Sequence, residues 1–357
     1  MKPEIKIGLT LLILIIIGGA MLFFVGPLSE METGVGKNVE SDGEKYKEIV
    51  NPSGFVNTDG ITVGSQVGKK VVLVDFMTYS CINCQRTFPY LNAWYKKYKD
   101  QGLEIIGIHT PEFAFEKDID NVRKAMVEFG INHPVVLDND YATWRAYGNR
   151  YWPRKYLIDI HGNIVYDHIG EGAYEETERK IKELLEERAQ ILGMPAIVAE
   201  GGLAVEKMPV AQNLAASPET YFGSLRNTLL ANGLPGRNGE GEYVIPQDIS
   251  TNKLYLNGNW NITPEYSESV ANASVVYKYS AQQVFIVAES GEIAEIEVWQ
   301  DGSIVGSDRG EDVSERGTMN IKESRLYKVI NNQSGGEHLL ELRVKKGKVR
   351  LFAFTFG

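Results

Sequence analysis

Cysteine is nearly missing from this chain: Cys81 and Cys84 are the only two in 357 residues. That scarcity excludes a disulfide scaffold, which needs several cross-links. It also argues against a cysteine-based zinc site, because zinc takes four ligands and no second cysteine pair exists. An excess of positive charge is missing as well, with 37 Lys and Arg against 47 Asp and Glu, a net charge of −10. Nucleic acid is therefore excluded as a partner, since phosphate binding needs clustered basic residues. No repeats or low-complexity tracts stand out, and Asp301, Asp308 and Asp312 lack the spacing of an EF-hand calcium loop. What remains is a chain with 43% hydrophobic residues, globular in composition and long enough for two domains.

The two cysteines sit in the most informative stretch, 71–89, VVLVDFMTYSCINCQRTFP. The apolar, β-branched run 71–76 reads as a buried strand. Phe88, Leu91, Tyr95 and Tyr98 then repeat at helical spacing, so the C-x-x-C pair stands where the helix begins. Unpaired backbone N–H groups and the positive end of the helix dipole favour a thiolate there. A bond from Cys81 to Cys84 closes so small a ring that chain entropy gives it only about 2 kcal/mol, against about 4 for a long loop. Stability is a poor reason for the pair, and thiol–disulfide exchange is a better one. Attachment of c-type haem needs His after the second cysteine, and this chain has Gln85.

Ahead of this centre, 7–28 contains no charged residue. As a helix it would be about 33 Å long, enough for a bilayer core of about 30 Å. Lys2 and Lys6 precede it and Glu30 and Glu32 follow, which predicts a cytoplasmic N-terminus and an extracytoplasmic remainder. Without an A-x-A cleavage site or a cysteine for lipidation, 1–28 reads as an uncleaved transmembrane signal anchor rather than a signal peptide. Residues 29–50 read as a tether.

The unit 51–192 interleaves strands and helices. Strands are predicted at 103–109 and 134–137, and helices at Val122, Ala125, Met126 and Phe129 and at 141–147. A hairpin follows around His161-Gly162, and a last helix carries Ile181, Leu184, Leu185 and Leu192. This order implies a central sheet with helices on both faces. The Ala-, Gly- and Pro-rich stretch 193–216 reads as a linker. In 217–357 the period switches to two: Ala294, Ile296 and Val298; Leu340, Leu342 and Val344; and Phe352, Phe354 and Phe356 each share a face. That pattern predicts an all-β, antiparallel sandwich. Trp260 and Trp299 are expected in its core rather than on a sugar-stacking platform.

Several residues together carry a family resemblance. Asp75 lies six positions before Cys81, Pro89 five after Cys84, and Pro153, in YWPRKYLID, just before a strand. With YSCINCQR and HTPEFAFEK, they make the region resemble a thioredoxin-fold, membrane-associated thiol–disulfide oxidoreductase of the TlpA and DipZ type. SPETYFG and the terminal FAFTFG resemble the C-terminal domain of DipZ proteins, a carbohydrate-binding-module-like jelly roll. The resemblance implies a redox-active Cys81–Cys84 disulfide, with Cys81 as nucleophile and Cys84 as resolving thiol. Asp75 would be a buried carboxyl that takes the proton from Cys84. Pro153 would be a cis-proline that lets the backbone of Trp152 pair with a substrate chain. Ile82 and Asn83, between the sulfurs, would tune the potential, and Glu112 is a candidate second acid or a helix cap.

No cofactor or metal is implied. The implied partners are protein thiols and disulfides and a separate CcdA- or DsbD-like electron donor, because this chain has one span where many DipZ proteins carry a multi-helix transporter. A glycan is a candidate ligand of the C-terminal domain. A peroxiredoxin-like peroxidase is an alternative, since Thr78 stands three residues before Cys81, but Val74 occupies that motif's proline position. A glycan- or partner-binding protein with a thioredoxin scaffold is another.

Overall fold

The computed structural model describes residues 43–195, 204 and 216–357. The expected anchor 1–28 lies outside the described residues, as do most of the tether and linker. Among the described residues no helix is long and apolar enough to cross a membrane.

The first half of the described chain runs β1 (Gly54–Val56), β2 (Val71–Met77), α1 (Ile82–Tyr98), β3 (Leu103–His109), α2 (Ile119–Glu128), β4 (Val135–Leu137), α3 (Ala142–Ala146), β5 (Arg154–Ile158), β6 (Ile164–Ile169) and α4 (Tyr174–Ile191). Its six strands form one mixed sheet in the order β1-β4-β3-β2-β5-β6, in which β2, β3 and β4 run parallel and the others antiparallel to their neighbours. Every residue of β2 and β3 is buried. These central strands therefore read as continuous apolar runs instead of alternating.

Helices α1, α2 and α4 all feed one core, through Phe88, Leu91 and Trp94, Val122 and Met126, and Ile181 and Leu185. The opposite face is covered mainly by irregular chain, with Tyr46, Ile49 and Val63 packed beside α3 against Val72, Val74 and Phe76. Helices on both faces are thus present only through the short α3. Leu192, expected on the buried side of the last helix, is its C-cap and is exposed.

The second half is all β: β7 (Thr220–Tyr221), β8 (Gly239–Tyr243), β9 (Leu254–Ile262), β10 (Ser267–Ser280), β11 (Gln283–Glu289), β12 (Ala294–Gln300), β13 (Ser303–Ile304), β14 (Thr318–Ile321), β15 (Arg325–Asn331), β16 (Glu337–Lys346) and β17 (Arg350–Phe356). The ladders that join these strands are all antiparallel. Ala294, Ile296 and Val298 enter one core with Trp260, Tyr277, Phe354 and Phe356. Trp260 is fully buried, while Trp299 is capped by the guanidinium of Arg343 at 3.9 Å.

One period-two expectation fails in an instructive way. The register of β11 and β17 passes from Val287↔Ala353 to Ala288↔Leu351, leaving Phe352 as an extra residue. A bulge of this kind re-aims a side chain. Phe352 leaves the core of Phe354 and Phe356 and joins a separate cluster with Ile82 and Phe113 of the first half and Phe285, Val287 and Leu326 of the second. Its ring meets Phe115 at 4.9 Å, Phe113 at 5.1 Å and Tyr266 at 5.2 Å. Both faces of β17 are covered, one by its own core and the other by the α/β half. Truncating a fully buried phenylalanine costs about 3–5 kcal/mol. Phe352→Ala is accordingly expected to lower the unfolding free energy of the C-terminal half, read from urea denaturation, by that amount and to move the midpoint down in proportion, and an unchanged midpoint would show that the two halves do not pack here.

Candidate active site

The site forms where β2 ends. After Met77 the chain turns through Thr78, Tyr79 and Ser80, and Cys81 becomes the N-cap of α1 in extended conformation. The carbonyl of Cys81 accepts the first helical bond, from Gln85 N–H at 3.0 Å. No acidic residue stands in the first turn, whereas Lys96 and Lys97 occupy the last. This distribution leaves the positive dipole end open toward the sulfur. Pro89 lies inside α1.

The turn itself is held by Glu116, a residue sequence reasoning missed. Its carboxylate is fully buried and accepts from Ser80 Oγ (2.6 Å), Ser80 N (3.3 Å), Glu112 N (2.5 Å) and Phe113 N (3.0 Å). Burial raises its pKa and these donors offset part of that rise. The signal was present as a Glu three residues after the first residue of the Phe113-Ala114-Phe115 turn, the spacing of a reciprocal cap. Gln85 Nε2 adds a bond to Tyr79 O at 2.8 Å.

Both cysteines are free thiols, Cys81 partly exposed and Cys84 buried. The two interact: the Cys84 thiol is pushed well above its ordinary pKa by burial first, then by its hydrogen bond to Cys81 and the charges of Cys81 and Asp75. Asp75 is wholly buried on β2, and neither carboxylate oxygen has a hydrogen-bond partner. Burial raises its pKa from 3.8 to about 7, against the lowering influence of Lys155. Lys155 is the second residue that sequence reasoning missed. It pairs with Asp75 across the β2–β5 ladder, is itself buried, and donates from Nζ to Gly170 O at 3.2 Å. Burial lowers its pKa while Asp75, Cys84 and Glu171 raise it. Its position two residues after Pro153 was visible in sequence, but cross-strand pairing with Asp75 depends on register.

The Trp152–Pro153 peptide is cis. Trp152 is anchored by its indole N–H to Thr110 O at 3.0 Å and by its ring against Trp144 at 4.3 Å. Cys81, Ile82, Asn83, Trp152 and Glu112 line a common cleft of about 430 Å3. Ile82 is buried beneath the C-terminal half. Glu112 caps no helix: it receives Arg226 Nη1 at 2.6 Å and the Tyr221 hydroxyl at 2.9 Å, both from the C-terminal half. A second crevice of about 820 Å3 lies along Tyr79, Ile82 and Gln85 and contains neither cysteine. Thr78 is buried with Oγ1 3.4 Å from His109 Nε2, and burial lowers the pKa of His109 to about 3. A neutral imidazole so placed is part of the core. Among the described residues no group of His, Cys, Asp and Glu is arranged to hold a metal ion.

Comparison with known proteins adds the family. Residues 42–185 match the Redoxin family, and residues 217–357 match the family described as a thioredoxin like C-terminal domain. Over 310 residues the chain is 36% identical to Protein DipZ of Mycobacterium bovis, which covers 85% of this chain and 42% of that protein. It is 35% identical over 124 residues to the thiol-disulfide oxidoreductase ResA of Halalkalibacterium halodurans, covering 34% of this chain and 65% of the relative. Over 140 residues it is 26% identical to the thiol-disulfide oxidoreductase YkuV of Bacillus subtilis, covering 39% and 93%. The chain thus spans less than half the length of the DipZ proteins it matches.

The buried carboxyl behind Cys84 has a measurable consequence. With its pKa raised to about 7, folded Asp75 keeps a proton that the unfolded chain releases above pH 4. Its contribution to stability is full below about pH 4 and is lost as pH rises to about 7, a change on the order of 4 kcal/mol. In Asp75→Asn, urea unfolding of the reduced protein is expected to show that decline flattened or reversed between pH 4 and 7. An unaltered slope would place the titration on another group.

Proposed function

We propose that the chain, whose residues 42–185 match the Redoxin family and whose residues 217–357 match the family described as a thioredoxin like C-terminal domain, is a thiol–disulfide oxidoreductase acting on protein disulfides through Cys81 and Cys84. The observation that carries this reading is the asymmetry of the pair: one sulfur is accessible at a helix N-terminus, and the other is buried beside an unpartnered carboxyl.

The chemistry follows from that asymmetry. The Cys81 thiolate attacks one sulfur of a substrate disulfide, forming a mixed disulfide and releasing the other sulfur as a thiolate. Cys84, whose burial favours the neutral thiol, then gives its proton to the Asp75 carboxylate and attacks Cys81. The substrate leaves as a dithiol, and the enzyme holds the Cys81–Cys84 disulfide. A base with a pKa near 7 is matched to proton transfer near neutrality. The cis Pro153 and the Trp152 backbone beside the cleft are assigned to pairing with an extended substrate chain, and Ile82 and Asn83 to setting the potential.

The finer parts of the reading rest on sequence. Residues 7–28 are proposed as a single uncleaved anchor that places the catalytic domain outside the cytoplasmic membrane. The reducing direction is proposed, with electrons from a separate CcdA- or DsbD-like membrane protein. The C-terminal domain is proposed as a carbohydrate-binding-module-like sandwich with glycan as its candidate ligand.

Insulin reduction with dithiothreitol as donor is expected to disappear in Cys81→Ser. In Cys84→Ala, mixed disulfides with substrate proteins are expected to accumulate in cells. Full activity in Cys81→Ser would sink the proposal. The reducing direction has its own check: a Cys81–Cys84 potential near about −120 mV, that of a strong oxidant, would reject it.

A further inference from the structure

The Cys81 cleft has two walls, and the second comes from the other domain. Glu219, Tyr221 and Arg226 face Cys81, Asn83 and Trp152 across it. This wall is clamped. Arg226 bonds Glu112 at 2.6 Å and stacks 3.7 Å above the Tyr221 ring, whose hydroxyl also bonds Glu112. Ala114 N–H donates to Glu265 at 3.0 Å a short distance along the same seam. Beside Cys81, Ile82 is buried by Phe285, Val287, Leu326 and Phe352, which pack on it. On α1, Arg86 reaches Gln283 at 3.3 Å, and in the turn before the helix the Tyr79 hydroxyl donates to Ser324 O at 2.9 Å. The sulfur of Cys81 is therefore approached through a cleft shared by the two domains.

We infer that Glu219, Tyr221 and Arg226 are specificity-determining residues, which admit a disulfide carried on an extended, unfolded segment of polypeptide and refuse one set in the surface of a folded domain. The inference rests on the oxidoreductase reading above. Size carries it. A cleft of about 430 Å3 is of the scale that encloses a small ligand. A single extended chain fits such a slot, since strands pack only about 4.8 Å from their neighbours. A folded domain of a hundred residues has a radius of gyration of about 13 Å, so its surface cannot descend to Cys81 without displacing the second wall. Charge does not override size, because Glu112 and Glu219 in the cleft are matched in number by Arg150 and Arg226, and Arg226 pairs directly with Glu112.

The test compares two substrates with the same reacting bond. One is a linear peptide bearing a cysteine–nitrothiobenzoate mixed disulfide; the other is a stable globular domain bearing that group on a surface helix. Reduced full-length protein is mixed with each in single turnover. Nitrothiobenzoate release is normalised to the rate each substrate shows with dithiothreitol. The wild type is expected to favour the peptide at least 100-fold. Tyr221→Ala/Arg226→Ala is expected to bring that preference below tenfold by gaining on the folded substrate. Glu219→Trp, a change at an exposed position of the wall, is expected to slow the peptide at least tenfold, and it stands as a second check should the double variant fail to fold. Comparable rates with both substrates in the wild type, or an unchanged preference in the double variant, would overturn the inference and leave the oxidoreductase reading standing. No release from either substrate would overturn both.

Discussion

A single buried carboxylate, that of Glu116, ties the machinery together. It accepts from the turn before Cys81 and from the backbone at Glu112 and Phe113. A buried polar group costs free energy unless its hydrogen bonds are made, and a multiply bonded carboxylate becomes a rigid joint between the segments it serves. Here those segments are the start of α1, which carries the partly exposed thiol, and the 110–113 loop, which carries Glu112 and Phe113, both in contact with the C-terminal domain. The position of the nucleophile and the docking of the second domain therefore share one anchor.

Behind the nucleophile the protein buries charge deliberately. Asp75 and Lys155 are both removed from solvent on adjacent strands. Pairing limits the penalty of burying either alone. The pairing is incomplete as a hydrogen-bond arrangement, since Lys155 donates to Gly170 O and the Asp75 oxygens are left unpartnered. The result is a carboxyl whose pKa is driven toward neutrality by desolvation and held from going higher by a nearby cation. Such a group is costly for stability and useful for moving a proton, a conflict that is common at functional sites.

The C-terminal domain does more than follow the thioredoxin-like domain in sequence. A β-bulge turns Phe352 out of its own core and into the aromatic cluster of Phe113 and Phe115. This contact buries Ile82, the residue next to the nucleophile, and brings Arg226 and Tyr221 onto Glu112. An apolar seam and a clamped ion pair beside it give the interface both area and register, as hydrophobic centres and polar rims do at other interfaces.

Much of this was readable from the chain. The run 71–76 declared a central strand because buried parallel strands need no polar face. Helical spacing after Cys84 placed both sulfurs at a helix start, and the family resemblance implied the parts taken by Asp75 and Pro153. What sequence could not give was anything that depends on two distant segments meeting. Lys155 opposes Asp75 only because of strand register. Glu112 meets Arg226, 114 residues away in the chain, only because two domains dock. Phe352 parts from Phe354 and Phe356 because one extra residue in β17 breaks the alternation that period-two reasoning assumes. Short-range periodicity and spacing thus determined the elements and the reactive pair, whereas the environment of that pair was decided by tertiary packing, because burial, register and facing charges are properties of the assembled surfaces and not of any one stretch.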